Sequence, residues 1–139
     1  YFTVYGPWGR PDMAIFIFTK NILEDKHIPV YNNGNMKRDF TYIDDIITGT
    51  RAAVEANYKC EVFNLGNNKS ENLMDLIRII ENNLGIKGNI DFQPMQPGDV
   101  PESFADIDKS TKMLNYRPTT NIDEGIPHFI DWYKYYSKL

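Results

Sequence analysis

The chain opens on Tyr1-Phe2-Thr3-Val4-Tyr5, a run of aromatic and β-branched residues that stops at Gly6-Pro7. Such a run reads as a buried strand, and neither a turn signal nor a start Met precedes it. A strand already under way points to a position inside a larger protein. It also demands neighbours, because an unpaired strand leaves its backbone N–H and C=O groups unsatisfied. The rest of the chain alternates short extended runs with helical ones, which is the pattern of an α/β chain.

After the Gly6–Pro11 loop, the spacing predicts a helix near Met13–Glu24. Asp12 is placed to cap it, because its carboxylate can accept from the unpaired first N–H groups. Ile28–Tyr31 predicts a short strand, Asn32-Asn33-Gly34-Asn35 a turn, and Arg38–Ile43 an extended piece. A helix near Asp45–Ala56 follows, with Asp44 as its cap, then a strand at Val62–Asn64 closed by Gly66. Leu73, Leu76, Ile77, Ile80 and Leu84 recur at helical spacing between Ser70 and Gly85. Ile90–Phe92 reads as a strand, Pro94–Pro101 as a proline-rich loop and Asp108–Leu114 as a short helix. A last helix carries Ile122, Ile126, Phe129, Ile130 and Tyr133 on one face. Thr120 and Asp123 stand at capping-box spacing, and Pro127 predicts a kink or a later start near Ile126.

With 139 residues the chain is one domain or the tail of one, and a chain of that length buries roughly two-thirds of its unfolded surface. Its net charge of −4 is not gathered into runs, which argues against a nucleic-acid partner. No apolar segment is long enough to span a bilayer and no signal peptide is evident, so no membrane role is expected. The single cysteine, Cys60, excludes an internal disulfide framework and fits a reducing cytoplasm. It reads as an inert small hydrophobe.

Four features could carry chemistry. Arg38, in Arg38-Asp39-Phe40, suits a phosphate or carboxylate because its planar fork matches two oxygens. The plainer reading is an exposed arginine paired with a nearby acid. Arg10 sits in a proline-stiffened loop at a strand end, where ligands bind in open α/β sheets; the plainer reading is a surface arginine. Among Asp44, Asp45, Asp99, Asp106 and Asp108, Asp99 is the best candidate because Pro97-Gly98 fixes it in a turn. The others read as caps and loop hydrogen bonds, and with no His nearby no metal site is expected. The aromatic tail Trp132, Tyr133, Tyr135 and Tyr136 reads as helix packing. His27 and His128 read as surface residues. The sequence holds no Gly-x-x-Gly-x-x-Gly loop for a pyrophosphate and no Tyr-x-x-x-Lys pair. Taken alone, these residues describe a ligand-binding α/β piece without a complete catalytic site.

In order along the chain, several runs together resemble a known family. They are Phe2-Thr3-Val4-Tyr5-Gly6-Pro7 with Arg10-Pro11-Asp12-Met13-Ala14; Ile28-Pro29-Val30-Tyr31; and Arg38-Asp39-Phe40-Thr41-Tyr42-Ile43-Asp44-Asp45-Ile46. Asn64-Leu65-Gly66, Gln96-Pro97-Gly98-Asp99-Val100, Ala105-Asp106 and Tyr116-Arg117-Pro118 through Gly125 complete the set. The chain resembles the C-terminal part of an extended short-chain dehydrogenase/reductase of Rossmann type, among the nucleotide-sugar epimerases. The Arg-Pro-Asp-Met-Ala run makes it most like the UDP-glucuronate 4-epimerases. The resemblance implies that residues 1–139 are a C-terminal substrate-binding region, mainly the small substrate domain, with Tyr1–Tyr5 a strand left from an NAD-binding domain.

The same resemblance implies the roles. Thr3 faces the sugar, Arg10 the uronic-acid carboxylate and Arg38 the diphosphate. Pro29, Val30 and Tyr31 lie along the uracil, and Asp99 takes a ribose hydroxyl. Tyr1 and Phe2 lie near the cofactor. Many galactose epimerases carry an arginine where this chain has Gln96, a departure that agrees with the uronate branch. The implied parent is a homodimeric, NAD-dependent isomerase that removes a hydride from C4 and returns it to the opposite face. A tyrosine outside these residues would act as general base, its pKa lowered by a lysine. The chain alone is expected to bind a UDP-sugar, to bind no NAD and to supply no catalytic residue. Siblings that dehydrate, decarboxylate or epimerise a neutral sugar, and a purely structural role, stay open. An exposed apolar face at Tyr1–Tyr5 is expected to favour self-association.

Overall fold

The computed structural model describes residues 1–139, and three strand pairings organise it. Strand β1 (Thr3–Tyr5) runs parallel to β4 (Phe40–Tyr42), with Thr3 opposite Phe40 and Tyr5 opposite Tyr42. Strand β2 (His27–Val30) runs parallel to β6 (Asn89–Phe92), and β3 (Lys37–Arg38) pairs antiparallel with β5 (Glu71–Asn72). Parallel partners need long crossovers. Helix α1 (Ala14–Leu23) lies in the first crossover and α3 (Leu73–Leu84) in the second. Helix α2 (Ile43–Glu55) leaves β4 directly, and α4 (Asp108–Leu114) and α5 (Ile122–Ser137) close the chain.

The apolar spacing explains how these pieces pack. On α3, Leu76, Ile77 and Ile80 form one stripe and are almost wholly buried. They meet Ile126, Phe129 and Ile130 of α5, Phe18 and Ile22 of α1, and Ile28 and Val30 of β2 in one core. Each such side chain contributes about 1.5–3 kcal/mol through its burial. A smaller cluster of Ile46, Leu65, Ala105, Ile107, Leu114 and Tyr116 sits between α2 and α4. No helix is long and apolar enough to cross a membrane.

Several local expectations fail, each for a physical reason. The opening strand is shorter than Tyr1–Tyr5, and Tyr1 is 74% exposed, because the ladder to β4 begins only at Thr3. Asp12, Asp44 and Thr120 cap no helix; the residues that precede α1, α2 and α5 are Met13, Tyr42 and Asn121, and none makes a side-chain cap. The Asp12 carboxylate has another partner, Arg10, whereas Asp44 lies inside the first turn of α2 and Thr120 stands one residue before the N-cap Asn121. Val62–Asn64 forms no strand, since the one backbone–backbone bond here is from Phe2 N–H to the Leu65 carbonyl beside it, and the Asn64 carbonyl is taken by the Ser110 hydroxyl instead of a ladder partner. Helix α5 runs through Pro127 and starts at Ile122. The proline removes one ladder bond near the end, where the carbonyl of exposed Asp123 can turn to water. Cys60 is exposed, so it does not act as a core hydrophobe.

Candidate functional site

A cleft of about 330 Å³ is lined by residues of β1, β2, β3 and β4 together with α1. Its floor is apolar, made by Ile17, Phe18, Met36, Phe40 and Leu73. Strand alternation decides which neighbours enter it. Arg38 and Phe40 line the cleft, whereas Asp39 and Thr41 point the other way and are fully buried. On β2 and just beyond it, Pro29 and Tyr31 line the cleft while Val30 is fully buried in the core. The Val30 carbonyl already accepts from Gln93 N–H at 2.9 Å. Of the uracil segment read from the sequence, Pro29 and Tyr31 therefore reach the cleft and Val30 does not.

The polar wall is built from distant segments. The Arg38 guanidinium donates to Asp99 Oδ1 at 2.6 Å and to its own strand at the Lys37 carbonyl at 2.8 Å. Asp99 stands at the end of the Gln96-Pro97-Gly98-Asp99 turn, closed by Asp99 N–H to the Gln96 carbonyl at 3.2 Å. Gly98 has φ +84°, the left-handed value that the third position of a type II turn requires. Gln96 joins Thr3, Asp12 and Asp99 in the lining.

Behind this wall lies a residue whose role the sequence did not reveal. The Asp39 carboxylate is 0% exposed and takes four donors: Thr41 Oγ1, Asn67 N–H, Asn68 N–H and Ala105 N–H, all between 2.7 and 3.0 Å. A buried charge is tolerable only when hydrogen-bonded in this way. Asp39 thereby ties two loops to the strand that carries Arg38. Its place between two cleft residues, Arg38 at the end of β3 and Phe40 at the start of β4, was the available signal, since alternation along extended chain sends it to the opposite face.

A second cleft of about 380 Å³ is lined by Tyr1, Phe2, Pro7, Trp8, Arg10, Met13 and Ile43, among others. Met13 lines both clefts, Asp12 the first and Arg10 the second. Arg10 grips Asp12 side-on, Nε to Oδ1 at 3.0 Å and an Nη to Oδ2 at 2.5 Å. That contact holds the Asp12 carboxyl below the ordinary carboxylate range. It leaves the end-on fork of the guanidinium free for another anion. The seven site residues named from the sequence for the sugar nucleotide therefore divide. Thr3, Pro29, Tyr31, Arg38 and Asp99 share one cleft, Arg10 stands in the adjoining one with Tyr1 and Phe2, and Val30 is in neither.

Burial pushes the Tyr5 and Tyr116 phenols far above the ordinary tyrosine range, and burial with nearby Asp44 raises Tyr42. A general base needs a value near the working pH. Tyr5 and Tyr116 instead donate to the carbonyls of Asn121 and Gly66. No three His, Cys, Asp or Glu side chains lie close enough to hold a metal ion.

This α/β fold is that of the Rossmann-type extended short-chain dehydrogenase/reductases. Residues 1–66 match the model of the NAD dependent epimerase/dehydratase family. An uncharacterised protein of Methanocaldococcus jannaschii is 51% identical over 133 residues, covering 96% of this chain and 41% of that protein. UDP-glucuronate 4-epimerase 4 of Arabidopsis thaliana is 44% identical over 155 residues, covering 99% of this chain and 36% of the relative. The crystal structure of UDP-glucuronic acid 4-epimerase from Bacillus cereus, in complex with UDP-glucuronic acid and NAD, superposes with a TM-score of 0.92 at 39% identity. It covers 98% of this chain and 44% of that one. The chain is thus similar to the NAD dependent epimerase/dehydratase family over its first 66 residues, and it spans less than half the length of these relatives.

Proposed function

We propose that this chain forms the UDP-sugar grip of an NAD-dependent epimerase that interconverts UDP-glucuronate and UDP-galacturonate at C4. The reading assigns the diphosphate to Arg38, a ribose hydroxyl to Asp99, and the uracil to the edge bearing Pro29 and Tyr31. Thr3 faces the sugar and Arg10 its carboxylate. The observation that supports it is the Arg38–Asp99 pair at 2.6 Å over an apolar floor, both side chains less than one-third exposed. An arginine so held needs little ordering when an anion arrives, and a charge-assisted contact is worth about 1.5–3 kcal/mol. Asp99 is then freed to accept from a hydroxyl. Two arginines in adjoining clefts match a ligand charged at both its diphosphate and its uronate.

The nicotinamide cofactor meets a poorer match. Tyr1, Phe2 and Trp8 offer the second cleft an apolar wall, but these 139 residues hold no glycine-rich turn at a helix start for a pyrophosphate. They do not make a dinucleotide site by themselves. The chemistry of this chain is thus to bind, to orient and to exclude water from the sugar.

Incubation of the complete gene product with UDP-glucuronate and NAD tests the reading. UDP-galacturonate is the expected product. UDP-xylose would assign a decarboxylase instead, and an unchanged substrate would sink the proposal.

A further inference from the structure

The aromatic residues of α5 find a use beyond packing in the loop that carries Arg10. Trp8 sits in that loop with φ +64°, a left-handed backbone that a bulky side chain adopts only when its surroundings hold it there. It is 77% exposed, so the core does not hold it. Its ring instead rests on α5, 5.6 Å from the Trp132 ring and 5.8 Å edge-on from Tyr136. Those two stack on each other at 5.2 Å. Trp132 is braced in turn by Phe16 of α1 and Phe129. Gly9 lies so near α5 that an added Cβ would stand 3.5 Å from Phe129 and 3.1 Å from the Gly6 carbonyl. Two backbone bonds close the loop, Gly9 N–H to the Gly6 carbonyl at 3.0 Å and Met13 N–H to the Arg10 carbonyl at 3.2 Å.

From these contacts we infer that Trp8 is a positioning residue: the Trp132–Tyr136 step of α5 clasps it, and through it fixes Arg10 where the two clefts adjoin. The inference rests on the proposed reading that Arg10 meets the sugar carboxylate, and it adds a specificity device that lies outside both the UDP grip and the reacting carbon. Arg10 itself is exposed and its partner Asp12 is only two residues away. Such a local pair cannot fix where the loop as a whole stands. The clasp on α5 supplies that long-range tie. Release of Trp8 leaves the UDP contacts intact and weakens only recognition of the charged sugar.

The test uses the complete gene product, with two readouts on Trp8→Ala, Trp8→Phe and the exposed helix variant Tyr136→Ala. Hydrogen exchange at the Gly9 and Met13 amides reads the loop, and calorimetry with UDP-glucuronate and UDP-glucose reads recognition. Trp8→Ala is expected to speed exchange at both amides and to weaken UDP-glucuronate about fivefold, with UDP-glucose changed by less than about twofold. Trp8→Phe restores both, and Tyr136→Ala moves both in the same direction by less. Unchanged exchange in Trp8→Ala overturns the clasp, as does an equal loss for the two sugars. Arg10→Ala separates the two ideas. If it leaves the preference for the uronate intact, the carboxylate assignment fails, and the exchange readout alone still judges the clasp.

Discussion

Arg38 and Arg10 each end on an aspartate, yet the two pairs are built in opposite ways. Arg38 reaches across 61 residues to Asp99, and both side chains are largely shielded, at 19% and 30% exposed. Arg10 reaches two residues along its own loop to Asp12, with both side chains mostly in water, at 74% and 63%. Exposed pairs are screened and add little to stability, whereas a shielded pair joining distant segments holds a geometry. The comparison divides the labour in the proposed site. The Arg38 wall is preformed, backed by the four-donor Asp39, and suits the part common to all UDP-sugars. The Arg10 loop is locally held and suits the part that differs between sugars.

The largest effect is expected behind the Arg38 wall. Asp39→Ala leaves three backbone N–H groups without their acceptor and should cost about 3–5 kcal/mol of stability, read by urea unfolding. A loss comparable to a surface substitution would mean that the wall is not built on Asp39. Next comes Arg38→Ala, expected to weaken UDP about 10- to 100-fold in calorimetry while the protein stays folded. The Arg10 loop should answer differently. Arg10→Ala is expected to leave the melting temperature unchanged and UDP binding intact, and to erase the preference for UDP-glucuronate over UDP-glucose. Loss of UDP binding in this variant would erase the division between the two regions.

The smallest effect lies away from both clefts, at Glu81 of α3. Burial works to raise its pKa, but hydrogen bonds from Lys87 and Gly88 N–H outweigh it and the carboxyl titrates below its usual 4.5. A depressed folded value means that the stabilisation is present above the unfolded value and is lost as pH falls through the folded one. Stability should therefore decline below pH 4.5, and Glu81→Gln should flatten part of that decline in pH-dependent melting. An unaltered pH profile in the variant would remove Glu81 from the account.

The sequence made some of this legible and hid the rest for identifiable reasons. The stripe of Leu76, Ile77 and Ile80 announced α3, because a buried face must repeat at the helical period. The turn before Asp99 was announced by Pro97-Gly98, which only one backbone geometry suits. The cap expected at Asp12 fails because its carboxylate has a competitor in Arg10, and those expected at Asp44 and Thr120 fail because α2 starts earlier, after Tyr42, and α5 later, after Asn121. Val62–Asn64 was misread because strand-forming residues do not supply a ladder partner. The cleft itself was beyond periodicity. Thr3, Pro29, Arg38 and Asp99 come from four separated segments, and only the ordered motifs of a resemblance suggested that they meet. Val30, named with its neighbours, fell on the core face by strand alternation.

Calorimetric titration of UDP into the wild-type protein and its Arg38→Ala variant tests the central claim, that a preformed Arg38–Asp99 wall grips the nucleotide. The account predicts saturable binding by the wild type that Arg38→Ala weakens at least about tenfold. Binding of undiminished strength in the variant would contradict it.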